Sequence, residues 1–268
     1  VSLTGGLTAS LTCHLSMGLG GGMAAQSVDW NPGDLTGLAI TLLPAESLAA
    51  GLLWQNTAET VPAVADGDPV RVAVCPYTGV KFTAPSDAAR PLLWEEGSGK
   101  WSLAFDGIDD YMLSSDAFAS TPNGDYTLAA RVRAGGATQY FAAFGSGSSA
   151  TPLAAFATHP TGSVLRHFWR NDGNQATDYG GTTSLAGAYH TAVVTRSGTT
   201  LASRVDGAAE GAGGTTVGTA TTTQLAVGAF ARTTVIGFLA GRVAGLAIYS
   251  AFQSGAGMTA LETYLEAK

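Results

Sequence analysis

Carboxylates and aromatic rings, rather than nucleophiles, are the residues of this chain that could do chemistry. Asp106, Asp109 and Asp110 place three hard oxygen donors within five residues. Clustered oxygen ligands in a loop suit calcium, although that ion takes six to eight of them. The plainer alternative is that Asp106 caps a turn at Gly107 while its neighbours bond to nearby backbone N–H groups. Glycoside hydrolysis would need an acid and a second carboxylate aimed at one sugar from the same side. Glu95-Glu96 and Asp109-Asp110 are adjacent pairs, and adjacent side chains on a strand point to opposite faces. No catalytic residue is assigned on that basis, and the chain is expected not to be an enzyme.

Val164 to Gly181 is the stretch best suited to touching a ligand. On a strand, His167 and Trp169 share one face while Arg166, Phe168 and Arg170 share the other. One set can pack in a core and the other can face a groove. Asn171, Asp172, Asn174, Gln175, Asp178 and Tyr179 follow with amides, carboxylates and a ring. Such groups suit sugar hydroxyls and the apolar face of a sugar. His167, Trp169, Asn171, Asp172, Asn174, Asp178 and Tyr179 are therefore the candidate carbohydrate-binding residues. The competing reading makes Trp169 core and the Asn/Asp/Gly cluster a solvent turn.

Other chemistries find no support in the residue patterns. The chain contains no Gly-x-Ser-x-Gly, His-Glu-x-x-His or Cys-x-x-Cys sequence, so serine-elbow, zinc-protease and thiol-ligand readings lack a starting point. His14, His159, His167 and His190 are dispersed, and Gly18 to Gly22 lacks the lysine of a phosphate loop. A net charge of −7 with 13 basic residues in no tract argues against nucleic acid. No apolar run approaches the roughly 20 residues of a membrane helix, so no membrane insertion is expected. The start does not read as a signal peptide, because it lacks a basic region and is broken by glycines. Cys13 and Cys75 are too few for a disulfide scaffold; they could pair with each other, and two buried free thiols are the favoured reading.

The elements that must position these residues are short strands. Charged residues make up 12% of the chain against about 25% in an ordinary soluble domain, and the 36 glycines are about twice the usual share. This composition suits close sheets and many turns. Trp101, Leu103 and Phe105 alternate with Ser102 and Ala104 before Asp106-Gly107, which reads as a half-buried strand entering a turn. Further strands are predicted over 70–74, 80–83, 126–132, 140–144, 153–157, 164–169, 190–195, 201–205, 224–228 and 242–249. A short helix is predicted over 44–53, where Pro44 and Glu46 suit the first turn. A second is predicted near the C-terminus, with Thr259 to Glu262 as a capping box and Leu261, Tyr264 and Leu265 on one face. Residues 1–27, with leucines at 3, 7, 11, 15 and 19 among glycines, read as an extended arm or attachment segment. Residues 28–268 then form one domain with an irregular lead-in to about residue 95.

Several of these stretches together resemble one family. Trp101 to Leu113, Tyr189 to Arg196, Leu201 to Gly207 with its Asp-Gly, and Gly241 to Tyr249 resemble successive strands of the concanavalin A-like, laminin G-like jelly roll. Trp54 to Thr57, Ala65 to Val70 and Ala88 to Pro91 follow in an order similar to the lead-in of phage and prophage virion proteins of this type. The resemblance implies an all-β sandwich of two antiparallel sheets with a short C-terminal helix. It also implies a non-enzymatic virion component, such as a head decoration, tail-fibre or baseplate protein, that recognises a host-surface carbohydrate. Other virion subunits and further copies of the chain are the expected partners. The alternative is a purely structural or oligomerisation protein without glycan binding. Some laminin G-like modules hold calcium at the sandwich rim, which the resemblance extends to Asp106, Asp109 and Asp110; no other cofactor is expected.

Overall fold

The computed structural model describes residues 30–115, 123–214 and 218–268. The predicted arm at 1–27, with Cys13, lies outside them. Chain order begins with β1 (Leu38–Leu42), α1 (Pro44–Ala49), β2 (Leu53–Trp54), β3 (Val72–Val74) and β4 (Lys81–Thr83). It continues through β5 (Leu92–Gly97), β6 (Lys100–Asp106), β7 (Met112–Ser114), β8 (Tyr126–Ala134), β9 (Tyr140–Ser146) and β10 (Ser149–Thr158). Then come β11 (Val164–Arg170), β12 (Ala176–Ser184), β13 (His190–Ser197), β14 (Thr200–Val205) and β15 (Ala208–Gly214). β16 (Gln224–Val227), β17 (Ala240–Tyr249) and α2 (Gly255–Glu266) complete it.

The strands form two antiparallel sheets, as the sequence predicts. One runs β15-β14-β13-β8-β17-β6-β5, with β1 paired beside the second half of β17. The other runs β12-β11-β10-β9-β16-β7-β4-β3-β2. Alternation decides which face of each strand is buried. Leu103 and Phe105 of β6, Leu201 and Val205 of β14, and Leu165 and Trp169 of β11 meet in the core between the sheets. The lead-in is less irregular than the sequence suggests, because β2, β3 and β4 extend the second sheet beyond β7. Cys75 is buried there, with its sulfur 2.9 Å from the Thr41 hydroxyl.

Two predicted features are displaced. α2 begins at Gly255, so Thr259 lies inside the helix and its hydroxyl bonds back to the Gly255 carbonyl at 3.3 Å. The apolar anchor explains the earlier start: Met258 is buried with Leu261, Leu265, Leu43 and Tyr249, drawing the preceding turn into the helix. Glu262 pairs with Arg204 at 2.7 Å instead of closing a capping box. The second correction is β12, which occupies part of what reads in sequence as a polar cluster. Its residues alternate between exposed and half-buried, and its inner side faces β15 across the open side of the sandwich.

Helix α2 covers only part of its sheet. Met258, Leu261 and Leu265 rest on Ala129, Val193 and Ala247, which lie on the outer faces of β8, β13 and β17. The outer face toward β5 and β6 stays clear of this cluster. No helix among the described residues is long and apolar enough to cross a membrane.

Candidate functional site

Of the predicted carbohydrate-binding residues, His167, Trp169 and Asn171 are buried, while Asp172, Asn174 and Asp178 are exposed. Trp169 is fully buried and His167 is 2% exposed, so the face of β11 chosen for a ligand is the core face. The Tyr126 hydroxyl lies 2.6 Å from His167 Nε2, and the Arg196 guanidinium lies 5.3 Å from the Trp169 ring centre. Burial, and then the charge of Arg196, pull the His167 imidazole down to about 3. Asn171 is 4% exposed and clasps Gln175, accepting its backbone N–H at 2.9 Å. Asp172 accepts the N–H and hydroxyl of Thr221. Asn174 holds the left-handed position of the turn, at φ +62°. Asp178 pairs with Arg166 through two hydrogen bonds of 2.8 and 2.7 Å.

Tyr179 is a brace rather than a stacking platform. Its hydroxyl donates to the Ala212 carbonyl of β15, and its ring fills the space left by Gly211 and Gly213. Beside it, Glu210 accepts from the backbone N–H and hydroxyl groups of both Thr182 and Thr183. These contacts shut the side of the sandwich. The expected surface at 167–179 is therefore divided among the core, a turn and an edge seam.

The aspartate cluster keeps both of its readings in view. Asp106 Oδ1 accepts backbone N–H groups of Ile108, Asp109 and Asp110 at 2.8, 3.3 and 3.4 Å, and Gly107 takes φ +81°. That is the turn expected from the sequence. Carboxylate oxygens of Asp106, Asp109 and Asp110 also lie within 4.8 Å of one another. Asp110 is 5% exposed, and its Oδ2 accepts the Asp106 N–H at 3.0 Å. Burial first, and the Asp106 charge second, push its carboxyl up to about 7.

Asp106 and Asp110 also form one end of a groove of about 540 Å³ on the clear outer face of the first sheet. Its other walls are Trp94, Arg133 and Arg242, and small residues including Ala104, Ala240 and Gly241 line it. Strand register assembles it. Leu92 of β5 lies opposite Ala104 of β6, Ala104 opposite Arg242 of β17, and Arg242 opposite Arg133 of β8. Directly opposed residues share a face, so four separated pieces of sequence form one row. Trp94, two residues after Leu92, joins the same face.

A charged array fixes one wall of this groove. The Arg242 guanidinium sits 4.0 Å from the centre of the Trp94 ring. It donates to both oxygens of Glu96, at 2.9 and 2.8 Å. Ser102 and Tyr189 add their hydroxyls to Glu96 Oε1. Burial opposes the charge of Glu96, yet these hydroxyls and Arg242 outweigh it and hold the carboxyl below its ordinary range. Tyr189 thus crosses the sheet, with the Arg133 guanidinium 5.9 Å from its ring centre.

Sequence reading misses Trp94, Arg133, Arg242 and Tyr189 as a group. Alternation gives the face of each strand and the Ser98-Gly99 turn joins β5 to β6, but nothing local says that β6, β17 and β8 are neighbours. Only Asp106 and Asp110 are singled out in both views.

A family model described as the Concanavalin A-like lectin/glucanases superfamily matches residues 106–256. No curated protein sequence matches the chain. Among solved structures, a sialidase of Trypanosoma rangeli is similar over 81% of this chain and 33% of its own, at 16% identity and a TM-score of 0.50. The carbohydrate-binding module CBM40 of the Ruminococcus gnavus IT-sialidase is similar over 54% of this chain and 84% of its own, at 12% identity and a TM-score of 0.47. A variant of the NanB sialidase from Streptococcus pneumoniae is similar over 59% of this chain and 27% of its own, at 10% identity and a TM-score of 0.47. The chain thus spans about a third or less of those two sialidases. The T. rangeli likeness is one of fold, and the two lower-scoring ones add nothing to it. The family match covers more than half of the chain and falls on strands of both antiparallel sheets: this protein belongs to the concanavalin A-like lectin/glucanases superfamily, as a laminin G-like member.

Proposed function

We propose that the protein is a non-enzymatic carbohydrate-recognition module and that the groove beside Trp94 is its binding site. The observation that carries this reading is the groove itself: an indole, two guanidinium groups and two carboxyls converge on a small-residue surface of about 540 Å³. Sugar sites combine apolar ring surface with a few convergent polar groups in clefts of this size. The non-enzymatic part rests on the same carboxyls. Asp106 Oδ1 accepts three backbone N–H groups and Asp110 Oδ2 a fourth, so both carboxyls are held as turn fixtures.

The setting we propose is a phage or phage-like particle, with the module displayed as a head decoration, tail-fibre or baseplate component toward a host surface. The lead-in motifs around Trp54, Asp66 and Arg90 support it. Residues 1–27 would join the module to other virion subunits or to further copies of itself.

Glycan-array binding tests the proposal. Trp94→Ala is expected to weaken glycan binding at least tenfold and to lower the melting temperature by only a few degrees, because the half-buried indole lies on the outer face against Arg242 rather than in the core. Binding that is unaffected by Trp94→Ala would place any glycan site elsewhere.

A further inference from the structure

Arg133 is the unspent charge of this groove. Its neighbours on the sheet are committed: Arg242 to both oxygens of Glu96, and Arg131 to the Thr191 hydroxyl at 3.2 Å and to Asp206 at 3.8 Å. Arg133 has no hydrogen bond or ion pair among the described residues, only the ring of Tyr189. A guanidinium carries five N–H donors in a planar fork. Register also sets Arg133 directly opposite Arg242, and like charges in that relation are destabilising. Glu96 neutralises one of the two. In a chain of net charge −7, the second remains uncompensated on the wall of the groove.

We infer that the ligand of the groove is a carboxylated sugar whose carboxylate is held by Arg133, an inference that rests on the glycan-binding reading above. The planar fork matches a carboxylate through two parallel hydrogen bonds, which Lys cannot reproduce. The remainder of the groove selects against a small free anion. The exposed Asp106 carboxylate stands on its wall with Arg133, and a bare anion entering there would meet its negative charge. A sugar acid satisfies both sides at once. Its carboxylate faces Arg133, its hydroxyls donate to the exposed Asp106 carboxylate, and its ring lies along the surface shared by Trp94 and Ala104. The like-charge pair Arg133 and Arg242 then gains the second anion that the protein itself does not supply.

The test uses the full chain and paired oligosaccharides, each ending in a carboxylated sugar and set beside its carboxyl-reduced counterpart, titrated at matched ionic strength. The acidic member is expected to bind at least tenfold more tightly than the reduced one. Arg133→Gln is expected to bring the acidic member down to the level of its counterpart, and Arg133→Lys to recover part of the difference. Equal affinity for both members, or a preference that survives Arg133→Gln, overturns the carboxylate assignment while leaving a glycan site in place. Binding of no member by the unaltered protein, with its tryptophan fluorescence unmoved, overturns the glycan reading together with it.

Discussion

Trp169 and Trp94 are both tryptophans on strands that alternate in polarity, and they end on opposite sides of the protein surface. Trp169→Ala removes a fully buried ring beside Arg196. It is expected to cost about 3–5 kcal/mol, as large core truncations do, which a denaturant titration would show. Two buried titratable groups give opposite pH dependences. Asp110 holds a proton in the folded chain from the unfolded value of 3.8 up to about 7, so its contribution to stability falls as pH rises through that window. His167 stays neutral down to about 3 against 6.5 when unfolded, so its contribution falls as pH drops below 6.5. Asp110→Asn should therefore flatten the loss of stability between about pH 4 and 7 and leave the melting temperature a few degrees higher at pH 7.5. A melting temperature that falls equally with pH in both proteins would refute this. Calcium bears on the same residue. If Asp106, Asp109 and Asp110 serve only as a turn, chelator leaves the melting curve unchanged at pH 7.5, whereas an ion bound there would raise it.

At the level of elements, the seam between β12 and β15 has no counterpart in hydrophobic pattern. Its sequences, ATDYGGTTS and AAEGAGG, are too polar and too glycine-rich to read as strands. They hold together by specific fit: a Cβ at Gly213 would collide with the ring of Tyr179, and Glu210 satisfies four donors of Thr182 and Thr183. Gly213→Val is expected to lower the melting temperature by several degrees and to promote aggregation, because it parts two edge strands that then present unpaired backbone groups. Light scattering during a thermal ramp would detect it. β6 is the contrasting case. Leu103, Phe105 and the Asp106-Gly107 turn are legible because alternation and turn chemistry are local. α2 is legible as a helix but not in its start, since burial of Met258 against Leu43 and Tyr249 is a tertiary contact.

For the whole molecule, what matters is which outer surfaces are covered. α2 occupies one part of its sheet through Met258, Leu261 and Leu265 and leaves the region of β5 and β6 open for the groove. Trp30 meets Tyr264 of α2 at 5.2 Å, so the described chain starts beside this helix. Deleting residues 1–27 is expected to leave the fold and the groove's binding intact while abolishing particle incorporation or self-association. Sedimentation of the deleted protein beside the full chain would check it, and unchanged assembly would remove the attachment role. By itself, the sequence determined the class of architecture: strand periodicity, turn residues and apolar alternation are local properties, and they survive any arrangement of the strands. It determined the Asp106 turn for the same reason. Only the tertiary structure decided that Trp169 faces inward, that Tyr179 seals an edge, and that Leu92, Ala104, Arg242 and Arg133 form one row. Those outcomes depend on which strands are neighbours and in what register, and pairing between residues more than 100 positions apart, such as Ala104 and Arg242, leaves no mark in either partner's local sequence.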